Sequence, residues 1–233
     1  MKKIIALLIL VSLFSCRTDA DKLTVKGTVK GLKKGTIYLK KIEDTLLVTV
    51  DSISINGSPD FTLQSDIEEP EMFYLYLNKN TKEDERISFF ADKGLTEINT
   101  TLKNFAYDAK IKGSKQHETL EEYLAMIGKF NNKNLELTKQ MLEAARDNDS
   151  LKLKQTETAL NNFTKRKYLF TANFAVNHKD SEVSPYLALS EIYDANIKYL
   201  DTINNVLSPK IKASKYGKAL EKYISKIKEE EKQ

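Results

Sequence analysis

The sequence predicts an α+β protein: an N-terminal antiparallel β-sandwich or partial barrel followed by an antiparallel helical region. Three observations lead there. Hydrophobic periodicity changes along the chain from two residues to about 3.6. Six of the eight glycines lie at or before Gly113, leaving only Gly128 and Gly217 beyond it. Asn56-Gly57, closing a β-branched run, is the strongest short hairpin signal. A boundary near Gly113-Ser114 follows, with a β-domain over residues 23–113 and a helical domain over 114–233.

In the first half, Leu23, Val25, Gly27 and Val29 alternate with polar neighbours, as in a strand with one wet face. Lys33-Lys34-Gly35 is a turn, and Thr36 to Leu39 begins the next strand. Leu46 to Ile55 is a β-branched run that Phe61-Thr62-Leu63 answers across Asn56-Gly57. Met72 to Leu77 sets Phe73, Leu75 and Leu77 on one face and Tyr74 and Tyr76 on the other. Ile87 to Ala91, Leu95 to Leu102 and Tyr107 to Ile111 complete seven or eight strands, at a spacing of about 8–12 residues.

The second half is helical. Leu120, Leu124, Ile127, Phe130, Leu137, Met141 and Ala144 form a stripe from Lys115 to Arg146. Asp147 to Ser150 breaks it and caps a second helix carrying Leu153, Leu160, Phe163, Phe170 and Phe174. Ser184-Pro185 reads as a helix start, with serine as cap and proline in the first turn. Further helical segments are expected over 186–193, 201–212 and 214–230. Long helices joined by short polar breaks pack antiparallel in a small bundle.

The chain opens MKKIIALLILVSLFSC: two lysines, an apolar run from Ile4 to Phe14, and the small Ser15 before the single cysteine. That is the layout of an export signal over residues 1–15. Its apolar run is shorter than the ~20 residues of a spanning helix. Leu13-Phe14-Ser15-Cys16 resembles the lipobox of bacterial lipoproteins. The resemblance implies that Cys16 takes a diacylglycerol, becomes the acylated first residue and anchors the chain in the membrane. The alternative is an ordinary signal peptide in which Cys16 is incidental. Residues 16–22 form a polar tether whose Asp19 and Asp21 are no continuous acidic run, so the expected location is the outer membrane facing the periplasm.

Composition narrows the function classes. The formal charge of +4 falls to +2 once Lys2 and Lys3 leave with the signal, which gives no electrostatic reason for a nucleic-acid partner. One cysteine in 233 residues excludes an internal disulfide, a cysteine-rich zinc site and a CxxC pair. Across residues 23–227, VKGTVKGLKKGTIYL, DSISINGSPDFTL, ISFFADKGLTEI, AKIKGS and FAVNHKDSEVSPYLAL resemble the N-terminal part of Bacteroidetes-type envelope lipoproteins. Those proteins end in a thioredoxin-like (AhpC/TSA) domain. The resemblance implies a β-domain of unknown function and a helical segment, here without the redox domain. It carries no disulfide chemistry to any residue of this sequence.

His117 and His178 are the only histidines. His117, Glu118, Glu121 and Glu122 do not form HExxH, and at a helix N-terminus they read as a solvated face that suits the dipole. His178 falls in a polar connector. Glu68-Glu69 and Glu229 to Glu231 offer adjacent carboxylates, without the opposed environments that acid–base work requires. Tyr38, Tyr74, Tyr76, Phe89 and Phe90 could form an aromatic recognition platform; the simpler reading is alternate core and ordinary strand residues. Leu220, Ile224 and Ile227 read as a core-facing stripe of the last helix, with Lys218, Lys222, Lys226 and Lys228 in solvent. No catalytic, metal or cofactor-binding residue is assigned, and Cys16 is the one site residue. The expected activity is that of a non-catalytic binding or accessory module. Its partners would be the membrane and another envelope protein, with any small ligand left open. The alternatives are a partner module of a separate thioredoxin-like protein, or an enzyme with an unrecognised site.

Overall fold

Alternation of apolar and polar residues organises the first eight elements into two stacked sheets. A computed structural model describes residues 22–78 and 85–231; Cys16, the signal and the tether up to Asp21 lie outside the described residues. The strands are β1 (Lys22–Lys30), β2 (Lys34–Glu43), β3 (Leu46–Asn56), β4 (Asp60–Asp66), β5 (Glu71–Leu77), β6 (Ile87–Ala91), β7 (Gly94–Thr101) and β8 (Lys110–Lys112). One sheet has the order β4-β1-β7-β8 and the other β3-β2-β5-β6. Leu23, Val25, Ile37, Leu39, Leu63, Phe73, Leu75, Phe89 and Ile98 fill the space between them.

The Asn56-Gly57 turn forms, with Gly57 at φ +105°. It does not close a hairpin within one sheet: β3 belongs to one sheet and β4 to the other. Beyond the turn, the Pro59 carbonyl accepts Val29 N–H at 3.0 Å. β4 then runs antiparallel to β1, with Val25 opposite Leu63. The Asp51 carboxylate accepts Gln64 N–H at 2.7 Å and ties the two sheets along that edge. β1 and β7 are parallel, because the chain makes the whole β2-to-β6 excursion before returning beside β1. The last strand is shorter and later than the sequence suggests. Residues 102–108 are turns, held by Thr101 Oγ1 donating to Asp108 at 2.6 Å and Thr100 Oγ1 donating to the Phe105 carbonyl at 2.7 Å.

Six helices follow: α1 (Lys115–Arg146), α2 (Ser150–Asn177), α3 (Val183–Glu191), α4 (Ile197–Val206), α5 (Pro209–Lys212) and α6 (Lys215–Glu230). Ser114 caps α1 by accepting His117 N–H at 3.1 Å, and Asp149 caps α2 by accepting Lys152 N–H at 2.9 Å. Tyr123 meets Phe174, and Phe130 meets Phe163, both at 5.3 Å between ring centres, so α1 and α2 are antiparallel. Their outer halves bury Leu137, Ala144 and Thr156 while Leu135, Leu142 and Leu151 stay exposed. The start of α3 differs from expectation: Glu182, not Ser184, is the residue before the helix. The Ser184 hydroxyl instead donates to the Ala175 carbonyl at 2.8 Å, joining α3 to α2. Pro209 divides the segment expected over 201–212 into α4 and α5. No helix among the described residues is long and apolar enough to cross a membrane.

β1 and β7 approach so closely at Gly27 that an added Cβ would lie 1.7 Å from the Ile98 carbonyl oxygen. Gly27→Ala is expected to cost about 3 kcal/mol or more in denaturant unfolding, since backbone must move. Gly57→Ala, which meets nothing within 4 Å, should cost only the ~1–2 kcal/mol of its left-handed backbone.

Candidate functional site

Every residue of β5, Glu71 to Leu77, is buried. Phe73, Leu75 and Leu77 face the sandwich interior, whereas Met72, Tyr74, Tyr76 and Phe90 face the helices. On that second side they pack with Leu120, Tyr123 and Ile127 of α1, Phe174 of α2, and Val183 and Leu187 of α3. Phe90 meets Tyr186 edge-on at 5.6 Å. Lys40 Nζ lies 4.4 Å from the centre of the Tyr76 ring, and the Arg86 guanidinium lies 4.4 Å from that of Tyr74. The aromatic platform is therefore a covered seam between sheet and helices. Phe89 belongs to the sandwich core, and Tyr38 is partly buried at the seam's edge.

Polar groups gather where helices begin against this sheet. Asp92 accepts from Ser114 Oγ at 3.0 Å and from Gln116 N–H at 3.3 Å, at the start of α1. Glu69 accepts Lys215 N–H at 2.7 Å, at the start of α6. Buried Glu71 pairs with Lys41 at 3.3 Å and also with Lys215. Burial opposes the Lys41 charge, but the Glu71 and Glu43 carboxylates outweigh it and raise its pKa.

His117 is a correction to the sequence reading. Glu118, Glu121 and Glu122 are exposed as expected, but His117 is buried. Its Nδ1 accepts Phe90 N–H at 3.3 Å, which requires an unprotonated Nδ1. Burial lowers its pKa from 6.5 to about 4, only partly opposed by Glu118. His178 stacks on Phe174 at 4.0 Å and bonds the Phe174 carbonyl through Nδ1 at 2.8 Å, closing the end of α2. Sequence gave no sign of Glu182. It is buried, and its Oε2 has no hydrogen-bond partner among the described residues. Burial raises its pKa, Glu69 and Asp92 add to the rise, and Ser214 and Lys210 oppose it. These groups serve the junction between layers; among the described residues no group of three His, Cys, Asp or Glu could hold a metal ion.

A separate cleft of about 320 Å³ opens in the helical layer. Phe130 and Phe163 are among its lining residues, joined by Asn131, Asn134, Tyr193 and Asp194. The Lys167–Glu191 ion pair, at 3.1 Å, belongs to the same lining. Aromatic faces beside amides and carboxylates suit a ligand with apolar faces and hydrogen-bonding edges. Phe130 and Phe163 were legible as helical apolar positions; Asn131 and Asn134 on α1 and Asp194 beyond α3 carry no local signal.

Residues 23–120 match the family described as Domain of unknown function (DUF4369). The likeness covers all eight strands and the first turns of α1. The matched span thus includes Asp92, Ser114, the Phe90–His117 bond and Leu120, the first helical residue of the seam. No curated protein matches the chain.

His117 and Glu182, both buried, predict opposite pH effects. The neutral His117 contributes stability above about pH 6.5 that is lost as pH falls towards about 4, up to ~3 kcal/mol. His117→Asn, which keeps an acceptor, should flatten the unfolding free energy across that window. Glu182 contributes stability while neutral, below its ordinary 4.5, and loses it as pH rises through its raised folded value. Glu182→Gln should therefore raise the Tm at pH 7, with the gain vanishing near pH 4.

Proposed function

We propose that this chain is a membrane-anchored cell-envelope lipoprotein, held by lipid on Cys16 at the outer membrane and facing the periplasm, and that it acts as a non-catalytic binding module. The observation that carries the anchor is the position of Cys16. The only thiol of the chain stands where the positive, apolar and small segments of an export signal end. Several acyl chains there would hold the protein stably, whereas a single chain holds only marginally.

What supports binding over turnover is the use the fold makes of its reactive groups. His117 accepts a backbone bond, Asp92 and Glu69 receive helix N–H groups, and Glu71 is neutralised by lysines. The cleft beside Tyr193 and Asn134 offers aromatic and amide groups, suited to holding a ligand. The match over residues 23–120 supports a β-domain of unknown function, and kinship with the N-terminal part of thioredoxin-like envelope lipoproteins rests on the sequence resemblance across residues 23–227 alone. On that kinship the module would serve a separate redox protein.

Cys16→Ala is expected to leave an uncut precursor or release the protein from membranes, and to abolish incorporation of labelled palmitate. A variant processed normally and still membrane-bound would overturn the anchor. For the second half of the proposal, disulfide-reductase, peptidase, esterase and glycosidase assays with metals supplied should show no turnover. Turnover abolished by a point change at His117 or Glu182 would overturn it.

A further inference from the structure

We infer that the end of the sandwich where β1 begins contacts the bilayer directly, with Ile42, Leu46 and Leu47 of the β2–β3 hairpin resting in the interface of uncharged lipid. The inference deepens the proposed anchoring through Cys16 and rests on it.

The strands fix which end this is. Lys22, the first residue of β1, lies opposite Asp66 at the end of β4, and Leu23 lies opposite Gly94 at the start of β7. Lys22, Lys41, Glu43 and Asp66 line one cleft, so the end of β2 lies beside the start of β1. From there the hairpin turns through Asp44, at φ +54°, and Thr45, with Glu43 opposite Leu46. Leu46 is 69% exposed, Ile42 42% and Leu47 39%. Ile42 and Leu47 are direct cross-strand partners, so their side chains share one face. Three large apolar side chains stand in water within six residues.

The hairpin is braced at its base. Lys215 of α6 donates to the Ile42 carbonyl at 3.2 Å while pairing with Glu71. Lys41 sits 3.3 Å from both Glu43 and Glu71. The apolar tip is thus presented on a support fixed to both sheet and helical layer.

Chain length places the bilayer. Residues 16–21 precede β1, and six residues span at most about 20 Å. A lipid on Cys16 therefore keeps this end near the membrane. The opposite end, where Lys30 pairs with Thr101 and Tyr107 is exposed, stands about 30 Å further along the nine residues of β1. Charge selects the lipid. Exposed Glu43, Asp44, Asp66 and Glu68 outnumber exposed Lys22, Lys93 and Lys215 at this end, and Lys215 is already paired with Glu71. Such a surface is repelled by anionic headgroups and fits zwitterionic ones.

The test uses the full lipidated protein in phosphatidylcholine vesicles carrying a nitroxide-labelled lipid. A lipidated Cys16 has no thiol, so one added cysteine takes the fluorophore alone. Labels at Leu46→Cys and at Thr45→Cys should lose fluorescence, while a label at Tyr107→Cys should not, although Tyr107 is 89% exposed. Replacing part of the lipid with phosphatidylglycerol should not deepen the loss. Equal fluorescence at 45, 46 and 107 in a chain whose mass shows the lipid overturns the membrane contact and leaves the anchor standing. A deeper loss with phosphatidylglycerol overturns the choice of uncharged lipid. A chain whose mass shows an unmodified Cys16 overturns anchor and contact together.

Discussion

The structure depends on covering the second face of β5. A strand in a sandwich needs one apolar face, yet Met72, Tyr74 and Tyr76 make the other face costly to leave in water, as does Phe90 on β6. Each such side chain, fully buried, contributes ~1.5–3 kcal/mol. The four together outweigh any single polar contact at the seam. α1, α2, α3 and Tyr216 of α6 supply that cover. The helical residues therefore share a core with the sheet, and Leu120 and Tyr123 pack with the strands as directly as with one another. That the family likeness ends at residue 120, inside α1, agrees with this physical division. The β-unit includes the first helical residue that closes over its aromatic face.

The polar groups decide how the layer sits. Apolar packing is non-directional, but Lys215 reaches Glu71, Glu69 and the Ile42 carbonyl only when α6 begins at one place on the sheet. His117 likewise meets Phe90 N–H only when α1 begins beside β6. Removing one partner of a buried pair is costly, whereas replacing all partners with apolar groups is often neutral. The contribution of these contacts is accordingly one of position. Glu182 is the member with one carboxylate oxygen left without a hydrogen-bond partner among the described residues. Its burial lies at the join of α3 with the start of α6, and the neutral acid suits that place better than the anion.

Local signals were legible in the sequence and layer-level ones were not. β6 and α1 lie where periodicity predicts them, because a pleated strand and an amphipathic helix each repeat within a few residues. The Asn56-Gly57 turn was legible too, but its two strands joining different sheets was not, since that depends on Pro59 meeting Val29. Tyr74 and Tyr76 misled for a physical reason. Tyrosine carries a polar tip on an apolar body, so alternation with Leu75 looks the same whether the tyrosines face water or a second layer. His117 was read with its exposed neighbours Glu118 and Glu121, although it lies three residues before Leu120, on the buried side of the same turn. The cleft residues Asn131, Asn134 and Asp194 come together only once α1, α2 and the end of α3 are packed.

With one sheet covered, the molecule is asymmetric, and the asymmetry has a direction. The β5 sheet is sealed by helices, while the outer face of the other sheet exposes Lys26, Thr62, Gln64, Glu97 and Asn99. Exposed Lys110 and Lys112 stand on its short edge strand, where lysines discourage pairing with another chain. On the proposed anchoring through Cys16, a tether entering at Lys22 would reach the molecule at one end of both sheets, so neither broad face would be turned to the anchor by the chain path. The helical cleft, between the α1–α2 hairpin and the end of α3, is made by a different part of the molecule from that end. Attachment at that end and ligand access to the cleft would therefore not compete for the same surface. A module held as proposed would keep its cleft open to solvent while staying within a short tether of the membrane, and a partner on the same membrane would gain effective concentration without any further contact.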